Sequence, residues 1–490
     1  MSTGEHRPLI VIAGAGISGM ATALALRDHA AERRLPEPRL VVLEPEAHVG
    51  GKIRTIRAEG FTCEWGVNGF LNKEPRTLEL CRRLGLEDQL LPAAGAFSNR
   101  YIYTRGKLRL VQMHPLKFLL SGILPLGAKI RLIRELWVRS RVPEDGDESV
   151  ASFARRRVGD RAYQVLVDPM QTGIYAGDPE QMSVVSSFPR VVEVEREYGS
   201  LIRGMARLAR ERRRQGQKGA LPGAGPTGHL TSFRGGMQTL VDRLAAELGD
   251  AVRCGRRVSA MRPEQGGGFH VEVEGGEALS ADAVILACPA HQAAPITAGC
   301  DAELSSTLAE ITYSPMVVVA LGFPRDRVAH PLDGFGFLVP RAEGLRLLGA
   351  LWTSTLFPER APGDHALIRV MLGGARDPEV LAIDDGQLTE AVLREVRVTH
   401  GGSVGEPSFS RVFRHRAAIP QYRVGHRDRL ERIDRSLARL PGLFVTGNAY
   451  RGIGVNDCAR NAHEVAQQVL DWLGRRSPSQ ATRPEPAGSS

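Results

Sequence analysis

Cysteine is scarce in this 490-residue chain. The six residues (Cys63, Cys81, Cys254, Cys288, Cys300 and Cys458) form no C-x-x-C pair and no small-domain spacing. That argues against a disulfide framework or a metal centre and suits a reducing compartment. No charged, apolar and small-residue leader precedes the first strand pattern, so a secretory signal is not expected. Long apolar runs are missing too. The longest nearly apolar stretch, Phe118 to Ala128, is about half of what a bilayer span needs, and Pro125 interrupts it. Aromatic residues are few, at 6%, and form no RNP-type motif, and zinc-finger spacing is absent. The net charge of +9 therefore does not point to nucleic acid. Its arginine clusters, Arg155-Arg156-Arg157 and Arg210 to Arg214, read as solvated helix faces, with an anionic membrane surface as the rival.

What is present is ordinary globular material, 42% hydrophobic and 24% charged, long enough for two or three domains. No internal repeat is evident. Residues 9–13 form an apolar run, followed by a glycine turn and a helical pattern to about residue 33. A second apolar run, Leu40 to Leu43, follows Pro36 and Pro38. This is β-turn-α-β, the opening of a doubly wound sheet. Residues 147–210 read as mainly helical and 212–229 as a basic Gly/Pro surface loop. Strands are expected to dominate 230–290 and 315–415. The pattern returns to strand, turn and helix from Leu443 to Leu473, and 476–490 reads as a disordered tail.

The first turn carries Gly14-x-Gly16-x-x-Gly19, with Ile17 and Ser18 opening the helix. Glycines there permit a tight turn, close approach of a pyrophosphate and helix–strand contact, while the helix N-terminus offers N–H groups to the anion. Glu44 ends the second apolar run, where a ribose-binding acid belongs. Gly50-Gly51 and Arg54 then suit a diphosphate and ribose already held by the first motif.

"SNRYIYTRGKLRLV" (98–111) reads as a β-hairpin turning at Arg105-Gly106. Alternation puts Arg100 on the face of Ile102 and Thr104. A cation on a half-buried face either snorkels to water or awaits an anion.

These glycines, the acid and the GG-x-x-R segment resemble the FAD site of the flavin amine oxidase superfamily. "LFVTGNAYRGIGVNDCARNAHEVAQQVL" (443–470) is similar to that superfamily's closing FAD motif, with Gly447, Gly452, Gly454 and Val455 leading into a helix. Residues 447–454 hold no cysteine, so FAD is expected to be non-covalent. The segments 168–184, 232–249, 334–340, 348–362, 370–379 and 419–422, in that order, resemble the protoporphyrinogen oxidase family, in particular its bacterial, oxygen-dependent members. The likeness runs from about residue 9 to 472.

The resemblance implies an α/β chain with three parts. A discontinuous Rossmann-type FAD domain would take 1–75, 230–312 and 430–475, and a substrate domain with a mixed sheet 76–112 and 313–429. A mainly helical membrane-binding domain would take 113–229. The implied reaction oxidises protoporphyrinogen IX to protoporphyrin IX with O2 and releases hydrogen peroxide. A homodimer at the cytoplasmic side of the membrane is the implied setting. Coproporphyrinogen III is the alternative substrate, and a non-catalytic, flavin-containing porphyrin carrier the alternative of another class. Flavin takes the hydride, so no side chain is assigned as acid or base.

By the same resemblance Gly66 and Val258 approach FAD, the latter through its backbone on the adenine side. Asn68 lies near flavin and substrate, although Val67 and Gly69 replace the family's usual Pro and Ser. The Gly173 carbonyl would meet the pyrrole N–H groups. Leu338, Leu351 and Met371 would sandwich the tetrapyrrole, and Arg100 would meet a propionate. In 113–142, Lys117, Lys129, Arg131, Arg134, Arg139 and Arg141 interleave with Phe118, Leu119, Leu120, Ile130, Ile133, Leu136 and Trp137. That pattern suits an interfacial helix near anionic headgroups.

Overall fold

The apolar run Leu9–Ala13 has no polar face to offer water, and it becomes the central strand of a parallel sheet. In the computed structural model, which describes residues 7–112, 114–140, 146–214 and 228–475, five parallel strands lie in a fixed order. They are Val252–Cys254, Arg39–Glu44, Leu9–Ala13, Ala283–Leu286 and Leu443–Val445. Ile10 and Ile12 point to one face, where helices Ile17–Glu32, Gln238–Leu248 and Val455–Arg475 pack. Val11 and Ala13 point to the other, against an antiparallel meander (Val258–Pro263, Phe269–Val273, Glu277–Ala281) and helices Ala290–Thr297, Ala302–Ala309 and His426–Arg439.

A second, seven-stranded sheet is mixed. Its order is Phe409–Pro420, Tyr313–Pro324, His365–Gly373, Leu347–Trp352, Gly336–Leu338, Arg100–Thr104 and Lys107–Leu110. The last two strands are the expected hairpin, with positive φ at Arg105 (54°) and Gly106 (69°), the backbone that a tight two-residue hairpin turn requires. One face of this sheet is closed by helix Asp385–Thr399 through Leu388, Val392, Leu393 and Val396. The other face is packed at one end by Phe61 and Cys63 against Val318, Ala320 and Leu367, and the Leu338 and Leu351 positions lie beyond that cluster.

Several expectations need correction. Helix Gln238–Leu248 stands inside the region read as strands; Leu240, Val241, Leu244 and Leu248 form its buried stripe. Helix Asp385–Thr399 does the same in the second such region. The local alternation on either side hid a 3.6-residue period in both. Segment 113–142 is not one helix. It forms two short ones, Pro115–Leu120 and Leu126–Ile133, and a tight turn at Arg134–Trp137. Pro125 occupies the N-cap of the second helix, where proline stops the first from continuing. Lys129 donates to Ser121 O, and Arg131 donates to the Arg156 and Arg157 carbonyls. Both cations are thus used inside the protein.

In the 155–157 cluster only Arg155 is exposed to solvent. Arg157 is fully buried and pairs with Glu135 and Glu195, while Arg156 bridges Glu148 and Glu195. Glu135 also accepts from Ser200 Oγ and from the Leu201 and Ile202 N–H groups, so it caps helix Leu201–Arg214. Arg210 and Arg214 are exposed. Arg141, most of the basic loop (215–227) and the tail 476–490 lie outside the described residues. Among the described residues no helix is long and apolar enough to cross a membrane.

A buried pair ties the small hairpin Thr55–Ala58/Phe61–Glu64 to the turn Pro358–Arg360 that precedes strand His365–Gly373. Arg360 Nη2 lies 3.1 Å from Glu64 Oε1, with both side chains 1% exposed. Glu64 also accepts from Thr55 Oγ1 and Met237 N, and Arg360 donates to Ser232 Oγ and Phe233 O. Burial raises the Glu64 pKa and lowers that of Arg360, so desolvation outweighs the attraction on each side. Removing one partner strands the other. Arg360→Met is expected to cost about 3–5 kcal/mol of stability in a denaturant titration, with much of it recovered in the double variant Glu64→Gln/Arg360→Met.

Candidate active site

The C-terminal ends of the parallel strands gather the glycine-rich segments. Gly14 has φ 110°, and a Cβ there would crowd the Ala287 and Cys288 backbone. Gly16 has open space where a Cβ would stand, whereas at Gly19 a Cβ would fall 2.0 Å from Gly14 O. The three glycines therefore do different jobs: one turns, one leaves room for a ligand, and one lets helix and loop touch. Helix Ile17–Glu32 has no side-chain cap, since Gly16 sits at its N-cap. Its first N–H groups are left to an anion. Gly50 N donates to Ala15 O at 2.8 Å, which brings the Gly50-Gly51 pair beside Gly16.

Glu44 is 6% exposed, and its carboxylate accepts from Ala15 N (2.9 Å) and Glu46 N (3.1 Å). Burial raises its pKa. The acid read from the sequence as a ribose ligand therefore also pins the glycine turn. Arg256 N donates to Glu44 O, two residues before Val258 opens the meander. Gly447 (φ 117°) comes near Ser18 Oγ and Ala287 O. Gly452 and Gly454 lead into helix Val455–Arg475, and Gly454 N donates to Asp457 Oδ2 at 3.0 Å. Arg54 lies over the Trp65 ring at 5.7 Å.

The seven-stranded sheet then supplies a lined face. Register pairs Arg100 with Gly336, Gly336 with Leu351, and Leu351 with Arg369. The next row on that face is Ile102, Leu338, Gly349 and Met371. Cross-strand partners share a face, so Arg100, Leu338, Leu351 and Met371 all point the same way. Gly336 and Gly349 let these strands approach closely: a Cβ would fall 2.0 Å from Ala350 O at the first and 2.4 Å from Phe337 O at the second. Gly173, in helix Asp168–Tyr175, closes the cleft from above: a Cβ there would sit 2.8 Å from Leu338 Cδ2. Arg100 stands at the far edge, its guanidinium over the Phe97 and Phe335 rings at 5.3 and 5.4 Å. Burial lowers its pKa, and no carboxylate among the described residues lies within ion-pair distance of it.

Between the two sheets runs the segment Gly66 to Asn68. Arg369 Nη2 donates to Gly66 O at 2.5 Å, and His415 Nε2 lies 2.9 Å from Trp65 O. Burial brings the Arg369 pKa down to about 10 and lowers that of His415. Both amide atoms of Asn68 are buried and without a partner. Buried amides are ordinarily hydrogen-bonded, so Asn68 is suited to the polar edge of a bound ring. The sequence reading passed over Lys52, Arg369 and His415. Arg369 did carry a signal, as the lone charge in the apolar strand His365–Gly373.

Comparison with known proteins identifies this arrangement. The profile of the family "Flavin containing amine oxidoreductase" matches residues 17–470. Coproporphyrinogen III oxidase of Bacillus subtilis is 32% identical over 96% of this chain and 100% of its own length. The chloroplastic protoporphyrinogen oxidase 1 of Arabidopsis thaliana is 31% identical over 95% of this chain and 88% of its own. The crystal structure of an Exiguobacterium sp. 255-15 protein, assigned as a protoporphyrinogen oxidase, superposes with TM-score 0.80 at 27% identity. It covers 97% of this chain and 100% of the other.

The glycine cradle, the uncapped helix and the unpartnered Asn68 amide fit FAD. Gly19→Ala puts a methyl group into the Gly14 carbonyl, and the expected outcome is a purified protein without the flavin absorbance that the wild type carries. With the family match spanning nearly all its length, the chain belongs to the flavin containing amine oxidoreductase family, in its protoporphyrinogen oxidase branch, and FAD is its cofactor.

Proposed function

We propose that this chain oxidises protoporphyrinogen IX to protoporphyrin IX in three two-electron steps, each ending with one O2 reduced to hydrogen peroxide. The observation that carries the reading is the one-faced cleft: an unpaired, aromatic-flanked Arg100 at one end and the apolar Leu338, Leu351 and Met371 along its floor. Such a cleft suits a broad apolar macrocycle bearing carboxylates on one side. Bound FAD supplies the hydride acceptor.

The side chains do the rest. The apolar floor and the Gly173 helix hold the ring flat and exclude water. Arg100 orients it by a charge-assisted, two-point hydrogen bond to a carboxylate. The Gly173 segment offers backbone carbonyls to pyrrole N–H groups, and Asn68 offers its free amide to the cofactor ring. No strong base is needed. A second reading, oxidation of coproporphyrinogen III, is favoured by the full-length likeness to the B. subtilis enzyme of that name. Comparing kcat/KM for the two porphyrinogens separates them, while absence of both oxygen uptake and porphyrin fluorescence would leave only a carrier.

A peripheral membrane setting belongs to the same proposal. Leu120 (86% exposed), Leu126 (73%) and Trp137 (70%) face solvent in the same segment as exposed Lys117, Arg134 and Arg139. Apolar side chains among cations suit an anionic bilayer surface.

Two outcomes are expected. Arg100→Ala raises KM for the porphyrinogen about 10- to 100-fold, the loss of a charged hydrogen bond, with FAD content unchanged; wild-type KM and kcat would refute the assignment. Leu120→Glu/Trp137→Glu lowers co-sedimentation with anionic lipid vesicles at unchanged activity in detergent.

A further inference from the structure

Lys52 has no role in the mechanism so far, yet it is placed where cofactor and substrate chambers meet. It directly follows the Gly50-Gly51 pair. Its Nζ reaches across to the other sheet, donating to Ala418 O at 2.5 Å and lying 4.9 Å from the centre of the Tyr313 ring. Ala418 packs with Met316, Ala176, Leu348 and Met371, the apolar lining of the cleft. No carboxylate among the described residues lies within ion-pair distance of Nζ.

The titratable groups around it do not balance its charge. Burial raises the pKa of the Cys458 thiol, to about 11, and of the Tyr313 phenol. It lowers the pKa of His291 and His415, so all four are neutral near pH 7. Lys52 itself is brought down to about 8 by burial and is mainly charged there. A desolvated cation without a counter-charge is costly, and its retention asks which negative charge arrives.

Two sources can be set aside. The uncapped N-terminus of helix Ile17–Glu32 is left to the pyrophosphate, while Lys52 Nζ is taken up by Ala418 O on the seven-stranded sheet. The substrate carboxylate is served by Arg100, whose strand lies five positions across the sheet from the strand bearing Ala418. At about 4.8 Å per strand that is roughly 24 Å. The remaining source is the flavin ring, which gains negative charge on reduction.

We propose that the Lys52 ammonium is a positioning cation for the reduced flavin, raising its reduction potential. Reduction delivers two electrons and one proton to the ring as hydride, which leaves it anionic unless a second proton follows. Lys52 offsets that charge electrostatically and keeps its own proton. The inference rests on the flavoenzyme reading for its electron donor, a porphyrinogen, but not for its measurement.

The test is the midpoint potential of FAD-loaded wild type, Lys52→Met, Lys52→Gln and Lys52→Arg, titrated with xanthine and xanthine oxidase against a reference dye. In both neutral variants the two-electron equilibrium constant is expected to fall at least tenfold, about 30 mV. Lys52→Gln retains a donor for Ala418 O without the charge, and Lys52→Arg, which retains the charge, is expected to stay near wild type. Unchanged potentials in Met and Gln overturn the proposal. So does loss of FAD from the neutral variants, which would make Lys52 a cofactor anchor, or from all three, which would make it structural. A porphyrinogen assay that fails while the potential shifts would refute the proposed substrate and leave the role of Lys52 standing.

Discussion

The architecture depends on how the chain segment Lys52 to Asn68 is held between two sheets. Glu64 and Arg360 form the anchor, buried from water and shared with Thr55, Met237, Ser232 and Phe233. Arg369 fastens Gly66 and Lys52 reaches Ala418. All three cations lie in low dielectric, where their cost is large unless each has a fixed partner. The result is a rigid wall rather than an adaptable one. The two sheets keep a set distance, and the buried Asn68 amide on this segment has no partner.

On the seven-stranded sheet, register decides which side chains share a face. A strand shifted by one residue would turn Arg100 into the layer that now holds Tyr101 and Phe337. The Arg105-Gly106 turn, with both residues at positive φ, fixes the hairpin, and the parallel pairing of Arg100 with Gly336 fixes the rest. Gly336 and Gly349 serve strand pairing by close approach, since a Cβ at either would strike the carbonyl of Ala350 or Phe337 on the neighbouring strand.

The excess of arginine has two separate uses. Some of it is internal scaffolding: Arg156 and Arg157 join the 135 turn to helix Pro189–Tyr198 through Glu195, and Arg131 caps a helix C-terminus. The rest, such as Arg134 and Arg139, stays exposed beside apolar side chains. Composition cannot separate these uses, because the partners Glu135 and Glu195 are distant in sequence.

The sequence by itself determined the nucleotide-binding half. Gly14, Gly16, Gly19, Glu44 and the Gly50-Gly51 pair act within one local β-α-β unit, where spacing alone dictates geometry. The hairpin at 100–110 was equally legible, since alternation and a turn dipeptide are local. Only the tertiary structure decided that Arg100 shares a face with Leu338, Leu351 and Met371, for they come from four strands whose pairing no short-range pattern encodes. The same holds for helices Gln238–Leu248 and Asp385–Thr399, whose periodicity was masked by neighbouring strands, and for the broken segment after residue 114. Buried charge was the least legible feature. Whether Arg157, Arg360, Arg369 or Lys52 meets water or a partner depends on desolvation, and desolvation exists only once distant segments have packed.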